Sequence, residues 1–172
     1  NPVSQTAMGR TLAAGLEVFE RMTRRYAKPA FDLPQTVIDG DTVDVTEEII
    51  WSKPFCNLLH FRRDLKQGRA EDPKILLVAP MSGHYATLLR GTVEALLPSA
   101  EVYITDWIDA RTVPVTEGTF DLDDYIDYVI EMLQVVGPKT NVVAVCQPSV
   151  PVLSAVALME AAGDVLAPAS MT

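Results

Sequence analysis

The sequence predicts an α/β fold with a parallel sheet, and two observations carry this prediction. Three short, largely apolar runs at 75–79, 101–105 and 141–145 have the length and composition of strands in a sheet that is covered on both faces. Each run is followed by a stretch in which apolar side chains recur every three or four residues, as on one face of a helix. Such alternation with short connections favours parallel strands joined by right-handed crossovers.

The N-terminal part begins with an amphipathic helix predicted over residues 4–27. Its apolar stripe consists of Met8, Leu12, Leu16, Phe19, Met22 and Tyr26. Packing of this stripe on the core is favoured over contact with another surface. Pro29 and Pro34 end the helix and open an irregular connection.

Two strands and a loop are predicted next. Val43, Val45 and Ile49 alternate with polar neighbours, and a second short strand covers 57–61. The charged and polar stretch 62–73 is expected to be a loop.

The helices between the later strands have clear boundaries. One runs from Tyr85 to Leu96 and ends at Pro98. The next spans 122–136, with aspartates in its first turn and Gly-Pro after its last. A final helix over 150–162 stops at a glycine.

Composition narrows the classes of partner. The chain of 172 residues carries a net charge of −9, which argues against nucleic acid because phosphate binding needs clustered Lys and Arg. No apolar run approaches the ~20 residues of a membrane-spanning helix. No signal peptide is evident, and Cys56 and Cys146 are far apart, so a cytoplasmic protein with free thiols is expected. Isolated His and Cys residues predict no metal site, and no cofactor motif is present.

One domain is expected, with residues 1–73 forming the helix and leading strands and 74–172 forming part of the α/β core. Because the chain starts at Asn1 and stops at Thr172, we expect it to be cut from a longer protein at both ends.

Cys146 is the strongest candidate for a catalytic residue. It follows the third buried strand directly, and a helix begins within a few residues. A nucleophile at such a bend is held exposed at the edge of the sheet, and the helix N-terminus favours the thiolate, the reactive form of cysteine. Ala144 and Pro148 provide the small or constrained neighbours that the bend requires. This pattern predicts the nucleophile elbow of an α/β-hydrolase, whose core these elements would form.

Two alternatives remain at this bend. Cys146 could be a buried structural cysteine, which its position disfavours. Ser149 could be the nucleophile, although a serine in the first turn of the helix is more typical of a cap, with its side chain lining the site.

The loop after the first buried strand should complete the site. The N–H of Gln147, next to the nucleophile, and an N–H from Met81 or Ser82 are the expected oxyanion donors. His84 precedes the nucleophile, whereas the base of this fold comes last in the chain, so His84 is expected to line the site or to cap a helix. Asp106 and Trp107, after the second strand, are expected to line the pocket, and His60 to be structural.

Several segments together resemble one family. Val145-Cys146-Gln147-Pro148-Ser149-Val150-Pro151 is similar to the elbow of the bacterial intracellular polyhydroxyalkanoate (polyhydroxybutyrate) depolymerases. The similarity extends to the segments 24–29, 78–85 and 103–107.

The resemblance implies a carboxylesterase that degrades the storage polyester through a cysteine acyl-enzyme, at the surface of cytoplasmic granules. Cys146 would be its nucleophile, and the aspartate and histidine would lie beyond Thr172. On that expectation this chain alone is inactive. Two alternatives stay open: an acyltransferase like the polyester synthases, and a granule-binding module without activity.

Overall fold

The computed structural model describes residues 6–24, 27–65, 72–81 and 85–172. Its helices are α1 (Ala7–Thr23), α2 (Arg90–Leu96), α3 (Leu122–Val136) and α4 (Ser149–Ala161). Its strands are β1 (Gln35–Ile38), β2 (Asp41–Lys53), β3 (Cys56–Arg63), β4 (Lys74–Val78), β5 (Glu101–Trp107), β6 (Thr140–Ala144) and β7 (Ser170–Met171).

The strands form one mixed sheet in the order β1-β2-β3-β5-β4-β6-β7. β1, β2, β3 and β5 pair antiparallel, whereas β5, β4, β6 and β7 pair parallel. The predicted parallel strands and their intervening helices are therefore confirmed, except that α2 begins later than predicted, at Arg90, and Ala86–Leu89 form a 3-10 helix instead. The mixed sheet with helices on both faces has the α/β-hydrolase fold that the sequence predicts.

Both faces of the sheet are covered by other parts of the chain. Side chains alternate between the two faces along each strand, so each strand contributes to both cores. On one face Leu76 and Val78 pack beneath α3 and α4. On the other face Leu77 and Ile104 pack with α2 and with Phe31 from the connection after α1. The central strands are thus buried on both sides, which explains their continuous apolar sequence.

Helix α3 shows how local sequence sets the boundaries of an element. Asp121 and Asp124 form a capping box, in which each side chain accepts a hydrogen bond from the other residue's backbone N–H. The helix ends at Gly137, whose φ of 88° is accessible to glycine at little cost. Met132 and Leu133 lie on its buried face and anchor it to the sheet.

The region between α1 and β4 differs from the prediction in two places. β1 lies in the stretch expected to be irregular, and it forms a hairpin with β2 through Asp39 and Gly40. β3 extends to Arg63, so the predicted loop 62–73 is wrong at its first two residues. Residues 66–71 of that loop lie outside the described residues.

The predicted packing of α1 on the core is wrong. None of the described residues of the helix is buried, and Met8 and Phe19 are 83% and 66% exposed. The helix itself agrees with the predicted pattern, since Thr6 caps its N-terminus and a Glu17–Arg21 pair spans one turn. The helix is therefore amphipathic, but none of the described core residues covers the apolar stripe between Met8 and Met22.

Helix α4 is apolar on its outer face as well as its inner one. Val152 and Ala155 pack inward, whereas Val150 and Leu153 are exposed. Of the helices that the structure describes, none has the length and hydropathy needed to cross a membrane.

Candidate active site

The topology of the sheet fixes where a site should lie. β4 has β5 on one side and β6 on the other, so the chain leaves β4 toward one neighbour and later returns across it to the opposite neighbour. In open α/β sheets the crevice at such a switch point, beyond the carboxyl ends of the strands, is the usual binding site. Here that crevice is flanked by the segments after Val78 and after Ala144, which are paired in the last register of β4 and β6.

Cys146 lies at this crevice, in a strained backbone bend between β6 and α4. Its φ is 69°, in the left-handed region that residues with a Cβ rarely adopt, and its side chain is exposed. Backbone strain of this kind persists only where the surrounding structure imposes it, and it is concentrated at functional sites. The predicted strand–bend–helix geometry is present.

The bend is braced by Ser149. Its N–H and its hydroxyl both donate to the carbonyl oxygen of Cys146, at 3.1 and 2.6 Å. The capping role expected of this serine is wrong, because the residue before α4 is Pro148 and no side chain caps the helix. The hydroxyl proton of Ser149 is instead committed to the turn that presents Cys146.

Met81 and Gln147 meet across the crevice. The backbone N–H of Met81 donates to the side-chain oxygen of Gln147 at 3.3 Å. The backbone N–H of Gln147 makes no hydrogen bond with any residue that the structure describes. The two proposed oxyanion donors are thus on neighbouring segments beside Cys146. Ser82 and His84, the other residues expected in this loop, lie outside the described residues.

Asp106 and Trp107 are the last two residues of β5, and both are buried. Asp106 is buried at the end of β5 and forms an ion pair with Lys28 from the connection after α1. The indole N–H of Trp107 donates to the carbonyl oxygen of Ala79 at 2.8 Å. Their expected contact with substrate stays a prediction.

The two cysteines differ sharply in environment. Cys56 is fully buried, and desolvation, followed by the negative charge of Asp106, raises the pKa of its thiol well above the usual value. Cys146 is exposed at the switch point. A thiolate is therefore far less accessible at Cys56, which is a structural cysteine.

His60 lies on β3 in the part of the sheet nearest the start of β5. Its Nε2 atom is 3.2 Å from Glu101, and its ring stacks on Tyr103 with centroids 4.5 Å apart. The hydrogen bond to His60 lowers the pKa of Glu101, against the opposing effect of partial burial. Because β5 starts at Glu101, this pair lies at the amino ends of the parallel strands, whereas Cys146 follows the carboxyl end of β6.

A shallow groove of about 510 Å³ lies away from the elbow. The β2–β3 turn and the segment after β5 line it, and neither Cys146 nor Met81 contributes to it. We regard the switch point as the better candidate, because it combines a nucleophile with backbone donors. Among the described residues, no group of three or more His, Cys, Asp or Glu side chains is placed to hold a metal ion.

Two residues near the site were not expected from the sequence. Thr105, fully buried on β5, accepts a hydrogen bond from the N–H of Ala79 at 2.8 Å. Lys28 pairs with Asp106 across 78 positions of sequence. Neither has a local pattern that would reveal it, although an uncharged polar residue inside an apolar strand is a weak signal of a specific hydrogen bond.

Comparison with known proteins gives distant structural likenesses. No family model and no curated protein matches the chain. The naproxen esterase of Bacillus subtilis aligns at 12% identity and a TM-score of 0.48, over 75% of this chain and 42% of that one. A bacterial brefeldin A esterase aligns at 13% identity and a TM-score of 0.46, over 92% of this chain and 45% of that one. A predicted hydrolase of Thermoplasma acidophilum gives 12% and 0.41, over 76% and 65%.

The chain thus spans less than two thirds of each of these proteins. At such identities and TM-scores the likenesses carry no argument about chemistry.

Proposed function

We propose that Cys146 is the nucleophile of a carboxylesterase that acts on polyhydroxyalkanoate through an acyl-enzyme. The N–H groups of Gln147 and Met81 stabilise the oxyanion in this proposal, and the oxyanion takes the place of the Gln147 side-chain oxygen that the N–H of Met81 contacts in the free protein. The observation that carries it is the position of Cys146, which is exposed in a left-handed bend between β6 and α4 at the switch point of the sheet. Backbone strain of this kind is concentrated at functional sites, and together with the exposed thiol at the switch point it supports a functional role for Cys146.

The reaction begins with attack of the Cys146 thiolate on the ester carbonyl carbon. A C–S bond forms and the carbonyl oxygen takes up negative charge, which the two N–H groups offset. Loss of one such donor typically costs about 2.7–4 kcal/mol of transition-state stabilisation. The tetrahedral intermediate then breaks its C–O bond and expels the alkoxide, which takes a proton from water, and a thioester remains on Cys146. Water cleaves the thioester to release a hydroxy acid or a short oligomer.

The substrate class is supported by the resemblance of the elbow segment 145–151 to the depolymerases. It is also supported by the exposure of the Cys146 side chain, since an accessible thiol can reach an ester within a long chain. Location at the surface of a storage granule belongs to the same proposal.

Deacylation requires a general base. His60 lies near the amino ends of the parallel strands, and no other histidine is among the described residues. The test should therefore measure acylation at a pH above about 8.5, the ordinary pKa of a cysteine thiol, where the thiolate forms without a histidine base. The protein is mixed with the p-nitrophenyl ester of hydroxybutyrate, and p-nitrophenolate release and protein mass are followed through one turnover.

We expect one acyl group per chain, attached to Cys146. The variant Cys146→Ala should show no acylation, whereas Ser149→Ala should still be acylated at Cys146. Acylation that persists in Cys146→Ala and disappears in Ser149→Ala would show that the serine is the nucleophile. Failure of the unmodified chain to acylate would contradict the proposed chemistry.

A further inference from the structure

The segment after β4 leaves the sheet in an unusual way. The ladder between β4 and β5 runs only as far as the pair Leu77 and Ile104, and Val78 pairs with Ala144 of β6. Ala79 lies beyond both ladders and is fully buried. A buried peptide unit needs partners for both its N–H and its C=O, so these groups must be satisfied by something other than strand pairing.

Two side chains of β5 satisfy them. The N–H of Ala79 donates to Oγ1 of Thr105, and its carbonyl oxygen accepts from Nε1 of Trp107, each at 2.8 Å. Thr105 and Trp107 are two residues apart on one strand, so their side chains project from the same face of the sheet. Side chains thus continue the contact between β4 and β5 after the backbone pairing has ended.

These two hydrogen bonds determine where the N–H of Met81 lies. Pro80 has no N–H, so the next amide after Ala79 is that of Met81, which points across the crevice to Gln147. If the backbone had continued to pair with β5, the chain would have stayed on that side of the crevice. Fixing Ala79 by side chains lets the chain turn toward β6 while it remains rigid.

We propose that Thr105 and Trp107 are positioning residues that hold the N–H of Met81 in the oxyanion site. This inference rests on the proposed function, because it gives that N–H its catalytic task. Neither side chain needs to touch the substrate. A donor contributes fully only when it is already aligned with the developing charge, so a small displacement weakens it.

Aromatic packing fixes the direction of the indole bond. The ring of Trp107 lies edge-on to Tyr125, with centroids 4.5 Å apart and an interplanar angle of 67°. Phe120 makes a second edge contact at 5.8 Å. Both neighbours come from α3 and the segment leading into it, so α3 packing supports the alignment of Met81 through Trp107.

The test compares two reactions of Cys146 in three variants. Thr105→Val keeps the shape and removes the hydroxyl, Thr105→Ser restores a hydroxyl, and Trp107→Phe keeps an aromatic ring without the N–H. Acylation by a p-nitrophenyl ester passes through an oxyanion. Alkylation by iodoacetamide displaces iodide at carbon and forms none, so it reports only on the thiolate and its accessibility.

We expect acylation to slow about tenfold in Thr105→Val and Trp107→Phe, a change of about 1.4 kcal/mol. Alkylation should stay within about twofold of the unmodified chain, and Thr105→Ser should recover most of the acylation rate. Unchanged acylation in both variants would overturn the inference. So would an equal fall in both reactions, which would indicate a general disturbance of the bend.

A second measurement separates this inference from the proposed function. Hydrogen exchange at the amides of Ala79 and Met81, followed by NMR, should accelerate in Thr105→Val and Trp107→Phe, and less in Thr105→Ser. Unchanged exchange at these amides would overturn the positioning role even if the chain is acylated. If exchange accelerates but the ester does not react with Cys146, the positioning of Met81 stands and the esterase proposal fails.

Discussion

Replacement of Cys146 by glycine and by alanine tests whether the bend is strained. At the φ of 69° a residue with a Cβ costs about 1–2 kcal/mol, and alanine keeps that cost whereas glycine removes it. Glycine also gives the unfolded chain more freedom, which costs about 0.5–1 kcal/mol. The difference predicts that Cys146→Gly is more stable than Cys146→Ala by about 0–1.5 kcal/mol. Because the side chain of Cys146 is exposed, its removal changes the buried apolar area very little, and lost packing contributes little to either difference in stability.

Ala144 provides the matched control two residues earlier. It lies within β6 in regular backbone, so Ala144→Gly should lose about 0.5–1 kcal/mol or more. Urea unfolding followed by tryptophan fluorescence gives both differences. The preference for glycine over alanine should therefore reverse in sign between the two positions. A glycine at 146 that is less stable than alanine would show that the bend carries no strain, and the main support for Cys146 as nucleophile would be lost.

Three further predictions concern other parts of the molecule. A thiol reagent should label Cys146 rapidly and Cys56 only on unfolding, because burial raises the pKa of Cys56, and fast labelling of two thiols would contradict this. Ala14→Pro should remove the far-UV dichroism of α1 but change the free energy of unfolding of the sheet by less than about 0.5 kcal/mol, since α1 buries nothing there. Glu101→Gln should lower the free energy of unfolding by less than about 1 kcal/mol near neutral pH. Since folding lowers the pKa of Glu101, stability is lost as pH falls through that pKa, so in a pH series of urea titrations the difference should vanish in acid.

The parallel part of the sheet could be predicted because burial on both faces leaves a visible pattern. β4 and β6 are short apolar runs, and each matches its predicted strand to within one residue. Among the helices of this part, α3 has a capping box at its start, a buried apolar face and a glycine at its end, and these mark its limits. These elements are specified by local sequence, so a sequence alone was sufficient to find them.

The edges of the sheet were harder to predict. β1 is four residues long and mostly exposed, so it has no buried pattern. A signal was nevertheless present, since Asp39-Gly40 has positive φ at both residues and is the sequence favoured in two-residue hairpins. The partner of an amphipathic stripe has no such signal. Periodicity indicated the apolar face of α1, but it could not show that no described part of the core covers that face.

The candidate site divides in the same way. The elbow could be predicted, because a strand, a bend and a helix adjoin within a few residues around Cys146. The hydrogen bond from Ala79 to Thr105 beside the elbow could not be predicted, because it joins residues 26 positions apart. Which polar residue of a strand meets which loop is decided by strand order, and strand order is not written in any one segment.

The indole of Trp107 also gives this molecule an optical readout. The chain has two tryptophans. Trp51 lies on β2 and its indole N–H donates to Glu131, whereas the indole N–H of Trp107 donates a hydrogen bond to the carbonyl oxygen of Ala79. In a Trp51→Phe background the remaining emission would come from the residue that anchors the loop of Met81. Ligand binding or acylation at Cys146 that shifts this loop would then change the fluorescence directly, without a label or a chromogenic substrate.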